Sequence, residues 1–438
     1  MALLLNSVHI GTRSIVLDES TSIKFAHFRF VSLLPVLAGR DPNMGLYYIL
    51  LNFWVKVFGE SEAAVRGMSA LFGALAVSAI YLLGARLFGR TVGLVAGLLL
   101  VLNAFVVQYA QTARSYALLV LLVTLSSYFL VVELERPSKH NRIWYMSTST
   151  MAVYAHYFAA YVLVVHLGAV VVMRGRGAWK REWLGMAAAI LLLCAPEVII
   201  VYRAGAADFI GWIGAPSLKD IGPVLVDLAG GSRLLLLLLL AGGFVATMFA
   251  IRERRYCPVG FVAAWLTLPI ALCFAVSSVR PMFLSYYLII CVPALILFGT
   301  AALARIHQPI FVGVLVAPLV WLSATQLAAF YGSDRGENWR DATQYVLSAT
   351  RPGDAIVFYP DFAHKPFDYY QRRSNGAAPT NLTGEAPVET QQRVWLVIRE
   401  SDAAARFPEI RQVQSSLRGY RLIGRREFRR VEVDLYAR

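Results

Sequence analysis

Two adjacent carboxylates, Asp18 and Glu19, open the part of the sequence that could do chemistry. A carboxylate beside a membrane surface can serve as a general base or charge stabiliser, because partial burial raises its pKa towards a base's working range. The pair also suits the start of a helix, where acidic residues complement the dipole and Asp18 or Ser20 can cap. On spacing alone the capping reading is the stronger. Downstream stand Asp41-Pro42-Asn43-Met44-Gly45-Leu46-Tyr47-Tyr48, then Trp54, Gly59-Glu60-Ser61-Glu62 and Arg66. A third cluster runs Gln108-Tyr109-Ala110-Gln111-Thr112-Ala113-Arg114-Ser115-Tyr116, followed later by His156-Tyr157 and Arg280. Arg66, Arg114 and Arg280 fall at the ends of apolar runs, where a guanidinium can grip a headgroup phosphate. Snorkelling explains an arginine there as well. Arg114, set among Gln108, Tyr109, Gln111 and Tyr116, is the least easily explained that way. His156, with no carboxylate at helical spacing, fits a hydrogen-bonded structural group better than a metal ligand.

The elements that must position these residues are membrane helices. The protein has 438 residues, 58% hydrophobic and only 16% charged, against about 25% charged in soluble domains. Apolar runs long enough to span, roughly 20 residues each, occur at 64–87, 91–109, 114–133, 181–202, 232–251, 258–278, 283–304 and 309–330. The stretch 142–174 holds two shorter spans broken near His156-Tyr157. The fold class expected is therefore a polytopic all-α membrane bundle with about ten visible transmembrane helices and a small C-terminal α/β domain. An outside N-terminus with no preceding span is hard to insert, so a missing first helix, making about eleven, is also expected.

The net charge of +14 sorts by loop. Arg86, Arg90, Arg136, Lys139, Arg142, Arg174, Arg176, Lys180, Arg181, Arg252, Arg254, Arg255 and Arg305 fall on one side. Arg66, Arg114, Arg203, Lys219, Arg233 and Arg280 fall on the other. The positive-inside rule puts the richer set in the cytoplasm, and hence residues before 64 and after 330 outside. No basic stripe with stacking aromatics occurs in a soluble segment, so nucleic acid is not an expected partner. Cys194, Cys257, Cys273 and Cys291 lie in or beside apolar runs without metal-ligand spacing, which reads as buried thiols.

Three regions follow: 1–63, an outer loop with interfacial helices and the acidic pair; 64–330, the transmembrane domain; and 331–438, a soluble extracytoplasmic domain. The run 45–58 would break the alternation if it spanned, and is read as an interfacial or re-entrant helix. In the last region Asn338–Ala349 patterns as an amphipathic helix. Asp354–Tyr359, Arg393–Arg399 and Glu427–Tyr436 pattern as strands.

Residues 17–175 resemble the C-type polyprenyl-phosphate-sugar-dependent membrane glycosyltransferases, specifically the bacterial relatives of protein O-mannosyltransferases and the lipid A aminoarabinose transferase (glycosyltransferase family 39-like). The matches are Asp18-Glu19, Leu46-Tyr47-Tyr48, Phe58-Gly59-Glu60-Ser61-Glu62, Arg66, Ser69-Ala70-Leu71 and Tyr109 to Tyr116. Asn338-Trp339-Arg340-Asp341-Ala342 and Arg351-Pro352-Gly353-Asp354 are similar to the tail after the spans in these relatives. Two departures stand out. The family's His-Pro-Pro or Asn-Pro-Pro is here Asp41-Pro42-Asn43-Met44-Gly45, and its late Arg-Tyr is Ser285-Tyr286, with Arg280 five residues earlier.

The resemblance implies displacement of a polyprenyl phosphate from a sugar's anomeric carbon by an acceptor hydroxyl, on the outer face of the plasma (inner) membrane. The acceptor is a protein, lipid or cell-envelope glycan. Asp18 matches the family's catalytic aspartate, with Glu19 beside it. Donor or substrate contacts are expected from Asp41, Asn43, Tyr47, Arg66, Tyr109, Gln111, Arg114, Tyr116, His156, Tyr157 and Arg280. No cofactor is assigned, although some relatives bind a divalent cation and His156 is where one would be sought. The alternative is a transporter or flippase of lipid-linked glycans, for which the mid-span acid Glu197 beside Pro196 would matter.

Overall fold

The structure is a computed structural model and describes residues 1–29, 32, 43–175, 181–203, 214–333, 336–374, 378–383, 391–399 and 417–438. It divides into two compact units. One comprises Met1–Val8, Phe25–Gly59 and Ala64–Ser333, and the other His9–Lys24, Glu60–Ala63 and Asp334–Arg438.

Seven helices among the described residues are long and apolar enough to cross a membrane: Glu62–Phe88, Tyr116–Glu135, Arg181–Ile200, Arg233–Arg252, Cys257–Ser277, Tyr287–Arg305 and Pro309–Gly332. The run expected to span at 91–109 is a broken pair, Arg90–Leu102 and Ala104–Ala110, bent by 63°. Asn103 makes the break tolerable. Its side chain accepts from the Val106 N–H at 3.0 Å and donates to the Leu228 carbonyl at 3.0 Å. A helix interruption at membrane depth needs its freed polar groups satisfied in this way. The stretch 142–174 forms Lys139–Ala155 and Ala159–Arg174, of 17 and 16 residues, parted at His156. At 1.5 Å per residue each is about 25 Å long, short of a full crossing.

Burial separates centre from rim. The Tyr116–Glu135 span is 72% buried, whereas Pro309–Gly332 is only 22% buried and turns its apolar side chains outwards. Helices Arg233–Arg252 and Val292–Thr300 meet backbone to backbone. A Cβ on Gly242 would lie 2.2 Å from the Gly299 carbonyl oxygen, the close approach that small residues permit between membrane helices. The run at 45–58 is a helix, Gly45–Phe58, with Tyr47, Tyr48, Leu51 and Asn52 buried.

The second unit is built on five strands: β1 (Ala355–Tyr359), β2 (Thr380–Asn381), β3 (Arg393–Arg399), β4 (Arg421–Phe428) and β5 (Val431–Ala437). Their order is β2-β1-β3-β5-β4. The β1 pairings with β2 and β3 are parallel, and β5 pairs antiparallel with β3 and β4. The period-2 pattern sends Ile356, Phe358, Trp395, Val397, Val433 and Leu435 to one face, against Trp339 and Phe367. Ala355, Val357, Val394, Leu396 and Ile398 go to the other. The expected helix is found at Trp339–Ala349 with Asn338 as its cap. The strand expected at Glu427–Tyr436 is found as β5, but its first residues, Glu427 and Phe428, end β4, so the run is broken by a hairpin turn. The backbone reverses at Arg429-Arg430, with Arg430 at φ 58°. Contacts distant in sequence hold that reversal: the Arg429 carbonyl accepts from Asn338 N–H at 3.0 Å, and Arg429 Nε donates to the Gly336 carbonyl at 2.7 Å. A helix at His364–Arg372 was not expected from the sequence pattern.

Candidate active site

In the membrane unit, Arg114 lies two residues before helix Tyr116–Glu135. Its Nη1 donates to Tyr48 Oη at 3.0 Å, and its carbonyl accepts from Ser69 Oγ at 3.2 Å. Ser69 in turn shares a 2.8 Å hydrogen bond with Tyr47 Oη. The Leu46-Tyr47-Tyr48, Ser69-Ala70-Leu71 and Arg114 motifs are thus one bonded cluster. Arg66 is buried in the same helix as Ser69.

Around it stands a wall of rings. Tyr109 packs on Tyr116 at 4.8 Å between centroids, Tyr116 on Tyr286 at 5.5 Å, and Tyr286 on Tyr287 at 4.6 Å. His156 lies 5.9 Å from Tyr116, 5.0 Å from Tyr157 and 5.3 Å from Tyr287. Such amphipathic rings can face a sugar or an isoprenoid without offering a nucleophile.

His156 is wholly buried. Its Nε2 is 3.0 Å from Asn43 Nδ2, and its Nδ1 faces the Phe158 N–H at 3.3 Å. Asn43 Oδ1 meanwhile accepts from Tyr157 N–H at 3.3 Å. Both ring nitrogens therefore meet donors. A neutral imidazole has one acceptor nitrogen and an imidazolium has none, so the surroundings favour the uncharged ring. Among the described residues no group of three or more His, Cys, Asp or Glu side chains converges as a metal site, and the donors around His156 do not fit a divalent cation. Asn43 precedes a turn residue, Met44, in the left-handed region at φ 78°. Asp41 lies outside the described residues.

Gln111 is held by the first residues of the protein. Its amide donates to the Asn6 and Val8 carbonyls, at 3.1 and 2.7 Å, which ties down the first residues of the protein. Arg280 follows helix Cys257–Ser277, half-buried; its N–H donates to the Val276 carbonyl at 2.9 Å, and its side chain makes no hydrogen bond or ion pair to the described residues. Near it in sequence, Ser285 Oγ donates to Asp227 Oδ2 at 2.6 Å, which anchors the Tyr286-Tyr287 segment to helix Leu218–Leu228. Tyr286 is the tyrosine of the altered late Arg-Tyr element, whereas Asp227 and Tyr287 carry no sequence signal beyond their residue type.

In the second unit the acidic pair divides its roles. Helix Leu17–Ala26 has both acids in its first turn. Glu19 is buried, and its Oε2 accepts from the Val16 N–H at 3.2 Å. That is the back-reaching half of a capping box. Asp18 is exposed, and its side chain makes no hydrogen bond or ion pair to the described residues. The helix-start reading is met with a different residue: Glu19, and not Asp18 or Ser20, takes the Val16 N–H, which leaves the Asp18 carboxylate available.

Arg340 secures this segment. It donates to Glu62 Oε1 at 2.8 Å through Nη2, to the Gly11 carbonyl at 3.0 Å and to the Thr12 carbonyl at 3.2 Å. Tyr370 Oη accepts from Ile15 N–H at 2.8 Å and donates to Glu62 at 3.2 Å. Burial, together with the Glu62 carboxylate, raises the Tyr370 phenol above its ordinary pKa, so it remains a donor. Sequence reasoning had Glu62 and Arg340 in separate motifs. Arg340→Ala is expected to lower stability by about 1–2 kcal/mol, since the pair is partly solvated. It should also raise amide exchange across residues 11–20. Unchanged exchange there would show that Arg340 does not hold the segment.

Residues 42–200 match the family model described as dolichyl-phosphate-mannose-protein mannosyltransferase. The match begins after Asp18 and Glu19. Over 99% of its length the protein superposes on ArnT from Cupriavidus metallidurans, spanning 96% of the latter. The TM-score is 0.65 for the apo state at 16% identity, and 0.63 for the form bound to undecaprenyl phosphate at 15% identity. The fold is that of the C-type membrane glycosyltransferases. AglB, the archaeal oligosaccharyltransferase from Archaeoglobus fulgidus, in complex with an inhibitory peptide and a dolichol-phosphate, aligns at TM-score 0.56 and 10% identity, over 84% of this protein and 62% of that one. The arabinofuranosyltransferase AftD from Mycobacteria aligns at 0.51 and 16% identity, over 100% and 41%. No curated protein matches the sequence. The motifs from Leu46 to Tyr116 lie within the family match, and the fold is shared with ArnT. The mid-span acid Glu197 is buried in helix Arg181–Arg203.

Proposed function

We propose that this protein transfers a sugar from a polyprenyl-phosphate donor to an acceptor hydroxyl on the outer face of the plasma membrane. The observation that carries the reading is the C-type fold along the full length, shared with an ArnT structure bound to undecaprenyl phosphate. In the reaction the acceptor oxygen bonds to the anomeric carbon. The bond from that carbon to the phosphate oxygen breaks, and the phosphate leaves with the electron pair. Asp18 takes the acceptor's proton; its carboxylate is exposed and makes no hydrogen bond or ion pair to the described residues. Arg114 and Arg280 neutralise the departing phosphate as charge-assisted donors, while Arg66, Tyr47, Tyr109, Tyr116, Asn43, His156 and Tyr157 shape the donor's surroundings. No metal step is needed for this chemistry.

The purified protein in lipid, given a panel of radiolabelled polyprenyl-phosphate sugars with membrane extract as acceptor, is expected to transfer label from one of them. A panel consumed by none would sink the reading. A reporter fused at Asn381 is expected on the outer side, and a cytoplasmic signal would overturn the orientation.

A further inference from the structure

Helices Arg233–Arg252 and Cys257–Ser277 are joined by the short loop Glu253-Arg254-Arg255-Tyr256. Arg252, Arg254 and Arg255, with Arg305 facing them, set four arginines against one glutamate. That glutamate is already engaged: Arg305 Nε donates to Glu253 Oε1 at 2.8 Å, and Arg305 Nη2 to Glu253 Oε2. Among the described residues no ion pair joins Arg252, Arg254 or Arg255 to an acid. The turn fixes where Arg255 stands. Arg254 is left-handed at φ 54°, and the Arg255 N–H donates to the Ala250 carbonyl at 2.9 Å.

The positive-inside bias accounts for basic residues in such a loop, but not for a recess between the helix ends. Arg255 and Arg305 border one of about 220 Å³ whose other lining residues are apolar, among them Phe88, Phe249, Val259 and Ala301. Ala246, Ala250, Val259 and Ala301 form a buried apolar cluster there. A guanidinium rim on an apolar wall, at the ends of membrane-spanning helices, lies at the depth of lipid head groups. An anionic phospholipid meets both halves, with its phosphodiester on Arg255 and the first carbons of its chains on Phe88, Phe249 and Val259. A soluble phosphate would leave the apolar wall unused. Basic pockets between membrane helices on the cytoplasmic side suit such head groups. We infer that this recess binds an anionic phospholipid of the cytoplasmic leaflet. The leaflet rests on the orientation proposed above, whereas the binding does not.

The test uses the full-length protein in uncharged detergent micelles, titrated with dioleoylphosphatidylglycerol or dioleoylphosphatidylcholine and read by native mass spectrometry. The anionic lipid is expected to bind at least about tenfold more tightly, the scale of one charge-assisted contact. Arg255→Gln, at an exposed position, should remove most of that preference. Arg252→Gln takes the same charge from the same loop outside the recess and should leave the preference intact. Ala304→Leu, which adds bulk to the recess lining without changing a charge, should weaken binding of the anionic lipid as well. Equal affinity for the two lipids, folded Arg255→Gln protein that keeps the preference, or Arg252→Gln protein that loses as much, overturns the inference. Full competition by sn-glycerol 3-phosphate overturns it too, by making the recess a site for a soluble phosphate. None of these measurements uses a sugar donor, so failure of transfer and failure of the recess are read separately. A cytoplasmic signal from the reporter at Asn381 would overturn the leaflet alone.

Discussion

Asp18→Asn is expected to abolish transfer while leaving folding and polyprenyl-phosphate binding intact. Asparagine keeps the size of aspartate and caps a helix as well, so a residue serving only the helix start would lose little. The structure sharpens the comparison, because Glu19 and not Asp18 reaches back to the Val16 N–H. A base loses its function, since the amide cannot take up the acceptor's proton, and the loss should be about 10²–10⁴-fold in rate. Glu19→Gln is the internal control. It retains an oxygen for the Val16 N–H, so its effect should fall on stability, by less than about 1 kcal/mol, and only weakly on rate. A well-expressed Asp18→Asn protein with near-normal turnover would defeat the assignment and move attention to Asp41.

Arg114→Ala is expected to cost about 10²–10³-fold in turnover, the scale for removing one preorganised donor from developing negative charge. Binding of unsubstituted polyprenyl phosphate should fall with it. Arg114→Lys should lie between, because lysine keeps the charge and loses the bidentate fork. The Arg114 guanidinium is held by Tyr48 Oη at 3.0 Å, so Tyr48→Phe should reproduce part of the loss without removing any charge. Arg114→Ala and Arg114→Lys proteins that both turn over like wild type would return Arg114 to a snorkelling role at a helix end.

The sequence by itself determined the solvent and the class. Apolar runs of about 20 residues require lipid, and the ordered motifs from Asp18 to Tyr116 carry the C-type resemblance. It also placed Trp339–Ala349, Ala355–Tyr359 and Arg393–Arg399, because amphipathic and alternating patterns are local signals. What it left undecided depends on contacts between residues far apart in sequence. The bend at Asn103 requires the Leu228 carbonyl. The reversal at Arg429-Arg430 requires Asn338 and Gly336, so an uninterrupted strand was the natural expectation. Asp18 and Glu19 are adjacent and chemically alike, yet Glu19 caps a helix and the Asp18 side chain makes no polar contact with the described residues. Only the path of the backbone around Val16 distinguishes them. Glu62 and Arg340, separated by 278 positions, read as two unrelated motifs until the fold made them one ion pair. Local periodicity reports which face of an element is apolar, and it carries no information about which distant element that face, or a lone charge, will meet.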